Sequence, residues 1–122
     1  MESQRPVRSE PPADAYGFAV LVDRAGDRVR LVGELDVDTV TRLDRALAGY
    51  DPADGRMVLE LVDLYFVDSS GLSALLKLHR RLAEQGSCLS LRDARQNVRR
   101  TIEAMGLHHV FNLESAPADG EA

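Results

Sequence analysis

Cysteine is nearly absent. Cys88 is the only one in 122 residues, which excludes an internal disulfide and any zinc site built on cysteines. Basic residues are also few: 15 Lys and Arg stand against 20 Asp and Glu, for a formal net charge of -5. Binding to a phosphate backbone needs clustered cations, so an acidic chain makes a poor nucleic-acid binder. No apolar run approaches the ~20 residues of a membrane-spanning helix. The leading MESQRPVRSEPPADA lacks the apolar stretch of a secretory signal. There is no glycine-rich phosphate loop and no G-x-S-x-G elbow. The expectation is a soluble cytoplasmic protein with no metal or cofactor and neither a membrane nor a nucleic acid as partner.

What the chain does have is a core's worth of apolar residues, 44% of the sequence, at a length that suits one domain. Residues 1–15 carry Pro6, Pro11 and Pro12 among Ser, Glu and Arg and read as a disordered tail. Residues 114–122, ESAPADGEA, read as a second, acidic tail. Residues 16–113 remain as the folded domain.

Two apolar runs, Phe18–Val22 and Val29–Val32, flank the turn residues Asp23–Asp27 and predict a β-hairpin. Asp38 or Thr39 can cap a helix with apolar positions Val40, Leu43, Leu47 and Tyr50, which Asp51–Gly55 stops. Met57–Val62 is almost wholly apolar, as a covered central strand would be. A second helix follows Asp68-Ser69-Ser70-Gly71, with Leu72, Leu75, Leu76, His79, Leu82 and Ala83 on one stripe and Gln85-Gly86 at its end. Cys88–Leu91 alternates like a strand. A third helix holds Val98, Ile102 and Met105 and closes at Gly106, and Val110–Leu113 forms either a last strand or a docking segment. The order ββαβαβα predicts an α/β domain: a mixed β-sheet of four to five strands, parallel after an initial hairpin, covered by amphipathic helices.

The segment Asp63–Leu72, DLYFVDSSGL, is where chemistry concentrates. Strand-to-helix junctions sit at the carboxyl end of the strands, where α/β domains bind ligands and partners. On spacing alone Ser69 or Ser70 caps the helix and Gly71 permits close packing. Asp36 and Asp38 read as helix-capping residues that complement the helix dipole.

Gly33-Glu34-Leu35-Asp36, the strand 57–62, Asp63-Leu64 and Phe66-Val67-Asp68-Ser69-Ser70-Gly71-Leu72 together resemble the STAS domain family in order and spacing. The likeness is closest to stand-alone bacterial anti-sigma factor antagonists, runs over about residues 17–113, and takes in Met105-Gly106-Leu107 at the end of the third helix. The resemblance implies a single STAS-like domain that is not an enzyme. It implies phosphorylation on Ser69, with Ser70 as second choice, and a partner face made of Asp36, Asp68, Ser69, Ser70, Gly71 and Leu72. The implied partners are an anti-sigma factor serine/threonine kinase, bound by the unphosphorylated form so that the sigma factor is freed, and a phosphatase that resets the cycle. The alternative within the family is a scaffold or lipid-transport accessory subunit without a phospho-switch. One departure stands out: where the family often opens its third helix with proline, this chain has Arg95-Gln96-Asn97, and Asn97 can cap instead.

The remaining residues carry weaker signals. His79 reads as a packed core histidine, and Cys88 as a buried thiol. His108-His109 lacks further ligands at metal spacing. Arg92, Arg95, Arg99 and Arg100 form a basic cluster, solvated by default but able to meet an acidic partner. A nucleophilic Ser69 would need a base, and His79 lies ten residues on, about 15 Å along the helix at ~1.5 Å per residue.

Overall fold

In Arg28–Leu35 every second side chain is buried and the intervening ones are exposed or half-buried, the mark of a strand with one covered face. The computed structural model describes residues 17–23 and 27–114. In it β1 (Phe18–Asp23) pairs antiparallel with β2 (Arg28–Leu35), from Phe18 opposite Gly33 to Asp23 opposite Arg28. Then follow α1 (Val40–Leu47), β3 (Arg56–Val67), α2 (Ser69–Glu84), β4 (Cys88–Arg92), α3 (Gln96–Ala104), a 3-10 turn (Leu107–His109) and β5 (Asn112–Glu114). The five strands lie in sequence order, and all neighbours after the hairpin are parallel. The expected mixed α/β sheet and ββαβαβα order are therefore present, with the last segment resolved as a strand.

Three crossovers stepping in one direction put their helices on one face of the sheet. Leu43 and Leu47 of α1, Leu72, Leu75 and Leu82 of α2, and Val98 and Ile102 of α3 join Val29, Leu31, Leu59, Leu61 and Leu91 in one buried core. The opposite face carries a row of charged side chains across its strands. Arg30, Glu60, Arg92 and Glu114 are lateral neighbours across β2 to β5. Arg30 meets Glu60 at 3.5 Å and Asp63 at 3.3 Å, while Arg92 and Arg56 meet Glu114 at 3.2 and 3.0 Å. Exposed pairs of this kind contribute about 0–1 kcal/mol each; their main effect is to keep the uncovered face wet.

Several local expectations change. The central strand runs from Arg56 to Val67 rather than 57–62, because β2 accompanies it past the end of β4. Glu114 closes β5 instead of opening a tail; the rest of that tail, and residues 1–15, lie outside the described residues. α1 stops at Leu47, and the buried Tyr50 follows it, donating its hydroxyl to the buried Asp27 carboxylate at 2.8 Å. In α2 it is Ala74 and Leu78 that join the buried stripe, while Ala83 is exposed and Leu76 and His79 are half-buried. Met105 caps α3 with 52% of its surface exposed, since the helix has already ended. Cys88 is exposed as well, at the start of β4 opposite the exposed Arg56. His79 is packed as expected, with its ring edge-on to Phe111 at 6.0 Å between centroids.

Burial disfavours the charge on Glu114, but hydrogen bonds from Arg92 and Ser90 and the charges of Arg56 and Arg92 outweigh it and hold the carboxyl below its ordinary 4.5. A depressed carboxyl stabilises the fold above its unfolded pKa, and that contribution is lost as pH falls through the lower folded value. Protection factors of the Asn112–Glu114 amides, exchange rates divided into the intrinsic rate at each pH, should therefore fall selectively as pH drops below 4.5, and Glu114→Gln should remove that dependence. Protection factors as high in acid as at neutral pH would contradict this.

Candidate functional site

The carboxyl ends of β2 and β3 lie side by side, with Glu34 opposite Phe66 and Leu35 opposite Val67. Each strand then turns away, β2 through Asp36 and β3 through Asp68. The Asp68 amide donates to the Leu35 carbonyl at 3.2 Å, tying the start of α2 to the end of β2. This contact brings Asp36 and Asp68, far apart in sequence, to one end of the sheet.

The cap of α2 falls on a different residue from the one spacing suggests. Asp68 is the N-cap, in extended conformation, and its carboxylate accepts the Gly71 amide at 2.9 Å, as an N-cap should. Ser69 and Ser70 are the first helical residues. Among the described residues neither hydroxyl makes a hydrogen bond. Ser69 is exposed and Ser70 half-buried. Relieved of capping, Ser69 is exposed next to the Asp68 carboxylate, and among the described residues no histidine is hydrogen-bonded to its hydroxyl.

Gly71 does permit close packing. A Cβ there would stand 2.4 Å from the Leu35 carbonyl oxygen and 2.7 Å from Val67 Cγ2. Leu72 is 1% exposed and belongs to the core, so it shapes the face from beneath. The exposed and half-exposed members are Asp36, Asp68, Ser69 and Ser70.

The β2–α1 loop is held by a residue first read as a cap. Thr39 is the N-cap of α1 but makes no capping bond. Its buried hydroxyl donates to the Glu34 carbonyl at 2.9 Å and accepts the Asp36 amide at 2.9 Å. Asp36 in turn accepts the Asp38 amide at 3.0 Å. These bonds fold Asp36 back beside the strand end, a local Asx-type arrangement. Asn97 likewise does not cap α3: Arg95 is the N-cap residue, and Asn97 donates to the Tyr65 carbonyl at 2.7 Å. Spacing could not reveal this partner, which lies in β3.

No helix among the described residues is long and apolar enough to cross a membrane.

The family model described as "Mlab, STAS domain" matches residues 18–114. Among solved structures, an anti-sigma factor antagonist from Mycobacterium paratuberculosis is similar at 26% identity and a TM-score of 0.70, over 87% of this chain and 91% of that one. The anti-sigma factor antagonist SpoIIAA in its unphosphorylated form aligns at 23% identity and a TM-score of 0.64, over 84% of this chain and 90% of that one. The Bacillus cell fate determinant SpoIIAA in its phosphorylated form aligns at 21% and 0.59, over 84% and 93%. At these identities the two SpoIIAA structures establish a common fold. With nearly the whole described chain matched, the protein belongs to the STAS domain family.

Proposed function

We propose that this protein is an anti-sigma factor antagonist acting in the cytoplasm. Unphosphorylated, it binds an anti-sigma factor serine/threonine kinase and so frees the sigma factor. Phosphorylation of Ser69 by that kinase ends the interaction, and a phosphatase restores it. The observation that carries the reading is the exposed, unbonded Ser69 hydroxyl at the first turn of α2, left free because Asp68 performs the capping. Similarity to the Mycobacterium paratuberculosis antagonist supports the role.

The physics of such a switch is local. A neutral hydroxyl lets a partner close over it. A phosphate adds about -1.5 to -2 charges and three acceptor oxygens, next to Asp68 and at the same strand ends as Asp36. Like charges forced together at an interface cost several kcal/mol. Within the domain the same phosphate sits at a helix N-terminus, where free amides and the helix dipole favour it. The modification thus opposes docking while the fold tolerates it.

The test is phosphorylation in vitro. The full chain incubated with ATP and purified anti-sigma factor serine kinases of the same genome should gain one phosphate by mass, and Ser69→Ala should gain none. Full phosphorylation of Ser69→Ala would place the site elsewhere, with Ser70 next to be examined. The second reading, a scaffold or lipid-transport accessory subunit without a phospho-switch, predicts no mass shift with any of them.

A further inference from the structure

The last turn of β3 exposes apolar side chains that the core does not use. Tyr65, Phe66 and Val62 are 51%, 45% and 40% exposed. Tyr65 is the residue the β2–β3 register skips, since Gly33 pairs with Leu64 and Glu34 with Phe66. Here β3 has also outrun β4, whose pairing with it stops at Glu60 opposite Arg92. Side chains from the start of α3 take over that edge. Arg95 Nη1 donates to the Val62 carbonyl at 2.8 Å, and Asn97 donates to the Tyr65 carbonyl. The Arg95 guanidinium lies 4.6 Å from the centroid of the Tyr65 ring. The ring is thus held from below by its bulge and from one side by a cation, while half of it faces solvent.

Bulges beside functional sites re-aim side chains, and an aromatic fixed before binding loses little freedom on binding. Arg95 adds a charge that is not neutralised: among the described residues it pairs with no carboxylate. One of its five N–H donors is committed to Val62, and the others remain for a planar acceptor. Tyr and Arg are also the residue types that dominate interface energetics.

We propose that Tyr65, Phe66 and Arg95 anchor the docking face that continues to Ser69, three residues beyond Phe66, and that Arg95 selects the partner. The segment this patch takes presents an apolar side chain to the two rings and a carboxylate to the guanidinium. The inference rests on the reading of Ser69 as part of a docking face, and its test separates the two.

The full chain is titrated with the purified anti-sigma factor serine kinase that phosphorylates it, alongside Tyr65→Ala, Arg95→Ala, Arg95→Glu and Ser69→Asp, with thermal melting of each. Tyr65→Ala and Arg95→Ala should bind at least tenfold more weakly, and Arg95→Glu more weakly still, with melting temperatures close to the unmodified chain. Added salt should weaken the unmodified chain more than Arg95→Ala. Normal binding by the Tyr65 and Arg95 variants, with Ser69→Asp failing to bind, overturns the anchor and leaves the Ser69 face standing. Normal binding by Ser69→Asp, with the anchor variants weakened, overturns the Ser69 reading instead. Loss of binding only in variants that have also lost their melting transition counts against the anchor, as does a dimer of this chain that Tyr65→Ala dissolves. If no such kinase binds the unmodified chain, both fail.

Discussion

Ser69→Asp is expected to bind the anti-sigma factor kinase at least 100-fold more weakly than the unmodified chain while melting within a few degrees of it. The two halves of this expectation have separate causes. Ser69 is exposed and its hydroxyl is unbonded, so replacing it removes no internal contact. A carboxylate in the first turn of α2 is favoured by the helix dipole by about 0.3–1 kcal/mol, which offsets repulsion from Asp68. Binding is different. A partner that closes over the junction must desolvate the new charge beside Asp68, at a cost of several kcal/mol. Each ~1.4 kcal/mol is tenfold in affinity, so two decades are the minimum expected. Titration calorimetry with a parallel melting curve reads both halves. Equal affinity for the two forms would remove charge as the basis of the switch.

Gly71→Ala should be the most damaging small substitution at the site. Its Cβ would meet the Leu35 carbonyl oxygen at 2.4 Å and Val67 Cγ2 at 2.7 Å. The Leu35 oxygen is backbone, fixed in β2 and already accepting the Asp68 amide, so it cannot swing aside like a flexible side chain. The start of α2 must lift, and both the Asp68–Leu35 bond and the Asp68 cap loosen with it. Overpacking of this sort costs about 1–3 kcal/mol, and losing a cap adds about 1. For a domain near 100 residues each kcal/mol lowers the melting temperature by about 4–8 °C, so a fall of roughly 10 °C or more is expected. Partner binding should weaken along with it, because the same movement shifts Ser69 relative to Asp36. A melting temperature within 2 °C of the unmodified chain, against the roughly 10 °C expected, would show that the helix–strand approach is looser than its geometry.

Periodicity made the architecture legible. The alternation in β2, the apolar run of β3 and the 3.6-residue stripe of α2 are backbone-scale signals that tertiary packing reinforces. Details set by contacts between distant segments were not legible. Whether Ser69 or Asp68 caps α2 depends on where the Asp68 amide finds an acceptor, and that acceptor is Leu35, 33 residues earlier. Asn97 looked like a cap because Asn so often is, yet the carbonyl of Tyr65 lay within reach. Cys88 stands at the start of a strand, where side chains leave the core, so burial inferred from residue type failed there. Glu114 looked like tail because its neighbours are Ser, Ala and Pro, but Arg56 and Arg92 hold it in the sheet. The gathering of Asp36 with Asp68 and Ser69 came from the family resemblance, and the pairing of β2 with β3 supplies its physical basis.

The most direct measurement uses no substitution at all. The chain is phosphorylated to completion by its kinase, repurified, and titrated against that kinase beside the untreated chain and a phosphatase-treated sample. The account predicts tight binding by the untreated chain, loss of binding after phosphorylation, and full recovery once the phosphate is removed, with the three melting curves nearly superimposed. Undiminished affinity in the fully phosphorylated sample would contradict it.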